Sequence, residues 1–148
     1  MEIRIHSPME TKALACKIAD ALPRPALLCL SGDLGAGKTT FTKYLAQALG
    51  YTDRVTSPTF TILKSYENGD ETLHHIDAYR LEGIVQDLGF EEIFDEEKSV
   101  CVVEWYDFIE YALPKERLSI DIKIIGEERL FNVDAHGESY QACLEACL

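Results

Sequence analysis

The chain has 148 residues, 47% of them hydrophobic, which suffices for one domain with a packed core and is small for a nucleotide-hydrolysing fold. A formal charge of −12 and a pI near 4.7 argue against a surface that binds nucleic acid by neutralising phosphates, since that requires a basic patch. No apolar run reaches the length of a membrane span, residues 1–4 do not open a signal peptide, and the five cysteines include no C-x-x-C pair, so a soluble cytoplasmic protein with reduced thiols is expected.

Residues 2–6 alternate as a first strand does. Ser7-Pro8-Met9-Glu10 then spells a helix start, with Ser7 as N-cap, Pro8 in the first turn and Glu10 closing a capping box. Leu14, Ile18, Ala21 and Leu22 give that helix a core-facing stripe, and Pro23-Arg24-Pro25 stops it. The all-apolar run Ala26-Leu27-Leu28-Cys29-Leu30 reads as a buried parallel strand. It leads into Gly32-Asp33-Leu34-Gly35-Ala36-Gly37-Lys38-Thr39-Thr40, which fits the phosphate-cradling pattern G-x-x-x-x-G-K-[ST] in full.

That stretch is the expected nucleotide site. Its glycines allow a tight turn that aims successive N–H groups at phosphate oxygens, and the helix beginning near Lys38 adds the positive end of its dipole. Lys38 is expected to reach the β- and γ-phosphates, and the Thr39 hydroxyl to take one position on a bridging Mg²⁺. Phe41, Tyr44, Leu45, Ala48 and Leu49 share one face of the helix, which Gly50 terminates.

Residues 52–58 are polar and turn-rich, and Ser57-Pro58-Thr59-Phe60 fits either a solvated connection or a switch segment near the γ-phosphate. Residues 60–66 and 72–76 read as two strands joined by Glu67-Asn68-Gly69-Asp70, and a hairpin inserted here makes the sheet mixed. His74 and His75 point to opposite faces of the second strand, one of them a satisfied core residue, and Asp77 closes it, with Arg80 three residues on. Residues 81–95 break into short helical pieces at Gly83 and Gly89, and the acids Glu91, Glu92, Asp95, Glu96 and Glu97 read as a solvated surface.

Val100-Cys101-Val102-Val103 is the next buried-strand pattern, ending in Glu104-Trp105. Ligands of open α/β sheets sit beyond the carboxyl ends of the parallel strands, so Asp77 and Glu104 compete for the metal-side role. The four apolar residues before Glu104 match a metal-side strand better. Glu104 is therefore assigned to Mg²⁺, directly or through water, and Asp77 to the layer behind it or to orienting the attacking water. Trp105 suits the nucleotide pocket, a partner surface or the core equally. Residues 118–124 and 129–135 alternate around Gly126-Glu127-Glu128 as a second hairpin, and residues 139–148 form a short terminal helix pattern. Cys143 and Cys147, one helical turn apart and near His136, read as free thiols rather than metal ligands. The fold class that follows is α/β: a P-loop NTPase-like mixed sheet, with a parallel core and antiparallel hairpins, flanked by helices and formed by residues 1–148 as one domain.

The order GDLGAGKTT, SPTF, HHIDAYR, VVEW resembles the TsaE (YjeE) family, small P-loop ATPases of bacterial tRNA threonylcarbamoyladenosine synthesis. The resemblance runs over residues 7–135. It implies a Mg²⁺-ATP site with Lys38 and Thr39, Asp77 and Glu104 as essential acids, Trp105 close by, and the segment 57–60 as a switch. It also implies a TsaB–TsaD-like protein complex as partner, with tRNA involved only indirectly, and the acidic surface is compatible with docking on protein. A small-molecule kinase is an alternative, but such enzymes carry a basic lid and here Arg4, Arg24, Arg54, Arg80, Arg117 and Arg129 are scattered. A GTPase lacks its N-K-x-D segment here, and a non-hydrolysing ATP-sensing module leaves Lys38, Thr39 and Glu104 unexplained.

Overall fold

The computed structural model describes residues 1–58, 61–84 and 88–147. After strand β1 (Glu2–Ile5), Ser7 caps helix α1 (Pro8–Ala21), its hydroxyl accepting from the Glu10 N–H at 3.3 Å. The return bond lands one residue earlier than a capping box would put it: Glu10 Oε2 accepts from the His6 N–H at 2.6 Å. This ties the end of β1 to the first turn of α1.

The apolar run forms β2 (Ala26–Gly32), and α2 (Lys38–Ala48) follows the phosphate-loop pattern. Gly50, at φ 91°, ends α2 in a Schellman motif: its N–H donates to Gln47 O at 3.1 Å and that of Tyr51 to Ala46 O at 3.0 Å. Strands β3 (Leu63–Asn68) and β4 (Glu71–Asp77) make the expected hairpin. Residues 59 and 60, at which sequence had the first strand begin, lie outside the described residues. Asn68 pairs with Glu71, so the two-residue loop is Gly69-Asp70 rather than Asn-Gly, with glycine at φ 64° in the first loop position. The Asn68 amide instead donates to Leu49 O at 3.2 Å, fastening the hairpin tip to the end of α2.

A 3-10 turn (Tyr79–Leu81), α3 (Phe90–Phe94), β5 (Ser99–Glu104) and a second 3-10 segment (Tyr106–Ala112) follow. The second hairpin, β6 (Arg117–Ile125) and β7 (Glu128–His136), and α4 (Glu138–Ala146) complete the chain. The seven strands form one sheet in the order β1-β7-β6-β2-β5-β4-β3. Strands β4, β5, β2 and β6 run parallel, and β3, β7 and β1 pair antiparallel at the flanks, so the mixed sheet read from the sequence is the one that forms.

Both faces of β2 are buried. Leu28 and Leu30 pack with Phe41 and Leu45 of α2 and Leu14 and Ile18 of α1, whereas Leu27 and Cys29 pack with Phe90 and Phe94 of α3 and with Ile109. A strand covered on both sides has to be apolar throughout, which is why residues 26–30 read as an unbroken run. The terminal helix also joins the core: Tyr140 and Cys143 are buried, and Tyr140 Oη accepts the Leu27 N–H at 2.8 Å. All five cysteines are free, and among the described residues no helix is long and apolar enough to cross a membrane.

Candidate nucleotide site

Strand order sets the location of the site. From β2 in the middle of the sheet the chain builds β3, β4 and β5 on one side and β6 and β7 on the other, and open α/β sheets bind ligands at such a divide, beyond the carboxyl ends. There the chain leaves β2 at Gly32, whose backbone is at φ 145°; a Cβ on it would lie 2.5 Å from Ile122 O of the adjoining β6. Only glycine lets the loop start this close to the neighbouring strand.

The loop then turns tightly, with the Ala36 N–H donating to Asp33 O at 3.0 Å and Gly37 at φ 114° serving as N-cap of α2. The first intrahelical bond there runs from Phe41 N to Gly37 O at 2.9 Å. The amides of Lys38, Thr39 and Thr40 therefore stand outside the helical ladder at its positive end, a cradle for anionic oxygens. Arg129 of β7 braces the loop from behind, its Nε donating to Ala36 O at 3.1 Å.

Leu34, Gly35, Gly37, Lys38, Thr39 and Thr40 line a cleft of about 520 Å³ together with Ser57, Asp77, Tyr79, Glu104 and Trp105. The sequence assigned nine loop residues, Lys38 among them, and two acids to one site. Six of the nine and both acids meet here, while Gly32, Asp33 and Ala36 shape the loop without lining the cleft. Asp77 and Glu104 are opposite each other in the parallel register of β4 and β5, at 5% and 4% exposure. The Tyr79 N–H donates to Asp77 Oδ1 at 3.0 Å, and Ile62 O accepts the Asp77 N–H at 2.8 Å. Glu104 Oε2 lies 2.6 Å from Nε2 of the fully buried His75.

Lys38, 7% exposed, donates from Nζ to Gly32 O at 2.6 Å and sits 4.5 Å from the centre of the Trp105 ring. Trp105 takes two of the roles open to it, lining the cleft while packing, partly buried, against the core around Cys29 and Ile109. Its backbone is left-handed, φ 57°, a conformation that costs a non-glycine residue about 1–2 kcal/mol. The turn brings its indole edge-on to Tyr79 at 5.0 Å and parallel to Phe108 at 6.0 Å. Two adjacent buried carboxylates repel unless a cation lies with them, and with the Thr39 hydroxyl they form a hard oxygen set that suits Mg²⁺. The residues present therefore fit a metal-bound polyphosphate.

Ser57 reaches the cleft, and its loop is held to β3 by Lys64 Nζ on Thr56 Oγ1 and by the Thr56 N–H on Tyr66 Oη at 3.3 Å. Residues 59 and 60 of the expected switch segment lie outside the described residues. On the far flank of the loop, Gly35, Ala36, Gly37 and Thr40 also line a second cavity of about 270 Å³, closed by His6, Ser7, Pro8, Thr11 and Arg129 among others. Sequence reasoning missed His75, Tyr79 and Arg129. His75 carried a usable signal: two residues before Asp77 in a strand, it shares that residue's face.

A family model described as "Threonylcarbamoyl adenosine biosynthesis protein TsaE" matches residues 5–131. The tRNA threonylcarbamoyladenosine biosynthesis protein TsaE of Bacillus subtilis strain 168 is 49% identical over 144 residues, covering 96% of this chain and 90% of that protein. The protein of the same name from Aquifex aeolicus is 42% identical over 106 residues, 70% of this chain and 75% of the relative. Among solved structures, the crystal structure of Bacillus subtilis YdiB superposes with a TM-score of 0.85 at 42% identity, covering 99% of this chain and 93% of that one.

Proposed function

The chain belongs to the TsaE family, and from that premise we propose that it hydrolyses ATP with Mg²⁺ in support of the threonylcarbamoyladenosine modification of tRNA, acting on a TsaB–TsaD-like protein complex in the cytoplasm. The observation that carries the reading is the pairing of Asp77 with Glu104 across β4 and β5, in the same cleft as Lys38 and Thr39. On this reading the loop and helix amides hold the β- and γ-phosphates, and Lys38 turns from the Gly32 carbonyl to the charge that develops on the γ-phosphoryl group. Thr39 and Glu104 would hold the Mg²⁺, which would supply positive charge to offset that of the phosphates. Asp77, fixed through its backbone and Oδ1, orients the attacking water. The nucleoside leaves the cradle toward the second cavity, since Gly35, Gly37 and Thr40 line both.

Among the described residues no arginine lines the cleft, so turnover of the isolated protein should be slow. Docking on the protein complex raises it by completing the stabilisation of the transition state. The net charge of −12 makes tRNA alone a poor activator. Phosphate release measured at one salt concentration, with the partner complex, with tRNA and with neither, tests this. Stimulation by the complex alone is expected. Full activity of the isolated protein, or activation by tRNA without protein, would put the kinase reading ahead, and binding without any release would favour an ATP-sensing module.

A further inference from the structure

Two neighbouring histidines in β4 face opposite ways and are satisfied very differently. His74 is bonded at both ring nitrogens, Nδ1 to Ser65 Oγ at 2.8 Å and Nε2 to Glu96 Oε2 at 2.6 Å. His75 is fully buried and bonded at one, Nε2 to Glu104 Oε2, while its Nδ1 has no hydrogen-bond partner among the described residues. An orphaned buried nitrogen carries a desolvation cost. With the hydrogen on Nε2, what is left unpaired is a bare lone pair; with it on Nδ1, a buried N–H goes unbonded and Glu104 loses the donor at its Oε2. Nε2–H donating to the carboxylate is the arrangement that serves both residues.

We propose that His75 is a positioning residue for Glu104, holding Oε2 at the back of the cleft so that the other carboxylate oxygen is presented to Mg²⁺. This rests on the reading of Glu104 as the metal-side acid. The sheet makes the contact rigid. His75 and Asp77 are on one face of β4, Val102 and Glu104 on the same face of β5, and the parallel register pairs His75 with Val102 and Asp77 with Glu104. The imidazole thus reaches diagonally along the sheet to Glu104, beneath the cleft and shut off from solvent. Lys64, opposite His75 on β3, is engaged elsewhere, on Thr56 Oγ1, and does not compete for the carboxylate. Carboxylates that bind metals are oriented by such outer partners, and losing one costs typically 10–100-fold in metal affinity or activity.

Trp105, the single tryptophan and a wall of the cleft, supplies the readout. Its fluorescence is followed while Mg²⁺ is titrated into protein mixed with a non-hydrolysable ATP analogue, for the unaltered chain, His75→Gln and His75→Leu, with thermal unfolding recorded for each. A Gln amide nitrogen reaches the place of Nε2; Leu fills the space without a donor. The Mg²⁺ midpoint should rise about 10–100-fold in His75→Leu and stay within about threefold in His75→Gln. A second measurement needs no stable variant: the ¹⁵N spectrum of histidine-labelled unaltered protein should show His75 with hydrogen on Nε2 and a bare Nδ1. A wild-type midpoint in folded His75→Leu, equal impairment in Gln and Leu variants, or hydrogen on Nδ1 would each overturn the inference. An unaltered protein with no Mg²⁺-dependent response would overturn the ATP reading itself, and this inference with it.

Discussion

The two halves of the sheet treat polar side chains in opposite ways. In the inner half, β2, β4 and β5 are covered on both faces; in the outer half, β6 and β7 bury one face and leave the other partly open. Among the described residues, the buried polar or charged side chains are Thr11, Lys38, Thr42, His74, His75, Asp77, Ser99 and Glu104. All but Thr11 are on α2, β4 or β5, and none is on β1, β6 or β7. Burying such groups is costly, so their concentration in one half marks where the molecule holds its chemistry. The outer half contributes support: the Ile122 carbonyl that excludes any side chain at Gly32, and the Arg129 guanidinium on Ala36 O.

If the halves differ in this way, substitutions should separate them. Lys38→Ala should lower phosphate release about 10²–10³-fold with little change in melting temperature, since it removes a donor aimed at developing charge. Glu104→Ala should abolish the Mg²⁺ dependence of nucleotide binding, whereas Asp77→Ala should lose turnover and keep that binding. The reverse pattern, read from the Trp105 titration, would exchange the two roles.

Stability gives the same contrast at smaller scale. Leu28, fully buried in β2, should cost about 3 kcal/mol when cut to alanine, seen as a lower denaturant midpoint. Ile124, 47% exposed at the end of β6, should cost at most about 0.5 kcal/mol. A large loss at Ile124 would mean that the outer hairpin is covered in solution.

The smallest effect is on pH. Burial pushes the Cys29 and Cys101 thiols up to about 12 and Cys143 to about 11, from an ordinary value of 9.0. The folded state holds these thiols neutral, so their contribution is fully present below pH 9 and is lost as pH rises toward 11–12. Melting temperature should be flat near neutrality and fall above pH 9, and at pH 8 a thiol reagent should modify the half-buried Cys16 first.

Much of this was legible in the residues because local rules govern it. The phosphate loop is one contiguous pattern, and Asp77 and Glu104 announce themselves as acids ending apolar strands. Ser7 and Gly50 sit where caps belong, the first hairpin was readable from its turn residues and the second from alternation. What escaped depends on lateral strand order, which chain order does not reveal. Nothing near His75 names Glu104 as its partner until β5 is inserted between β2 and β4. Arg129 braces the loop only because β7 folds back beside β6. The small misses were of register: Asn68 pairs with Glu71 and leaves Gly69-Asp70 as the loop, and the Glu10 carboxylate bonds the His6 N–H where a capping box would return to Ser7.

The bond from the Asn68 amide to Leu49 O gives α2 a mechanical meaning. The helix has eleven residues, about 16 Å, and is fastened at both ends to one sheet. At its start it is continuous with the loop leaving β2; at its finish it is pinned by the tip of the hairpin whose other end carries Asp77. Loop, helix, hairpin and sheet make a closed frame with α2 as its strut. A push along the helix axis at the phosphate end therefore has to be carried by the hairpin as well, so the two sides of the cleft are gauged against each other by the length of one helix.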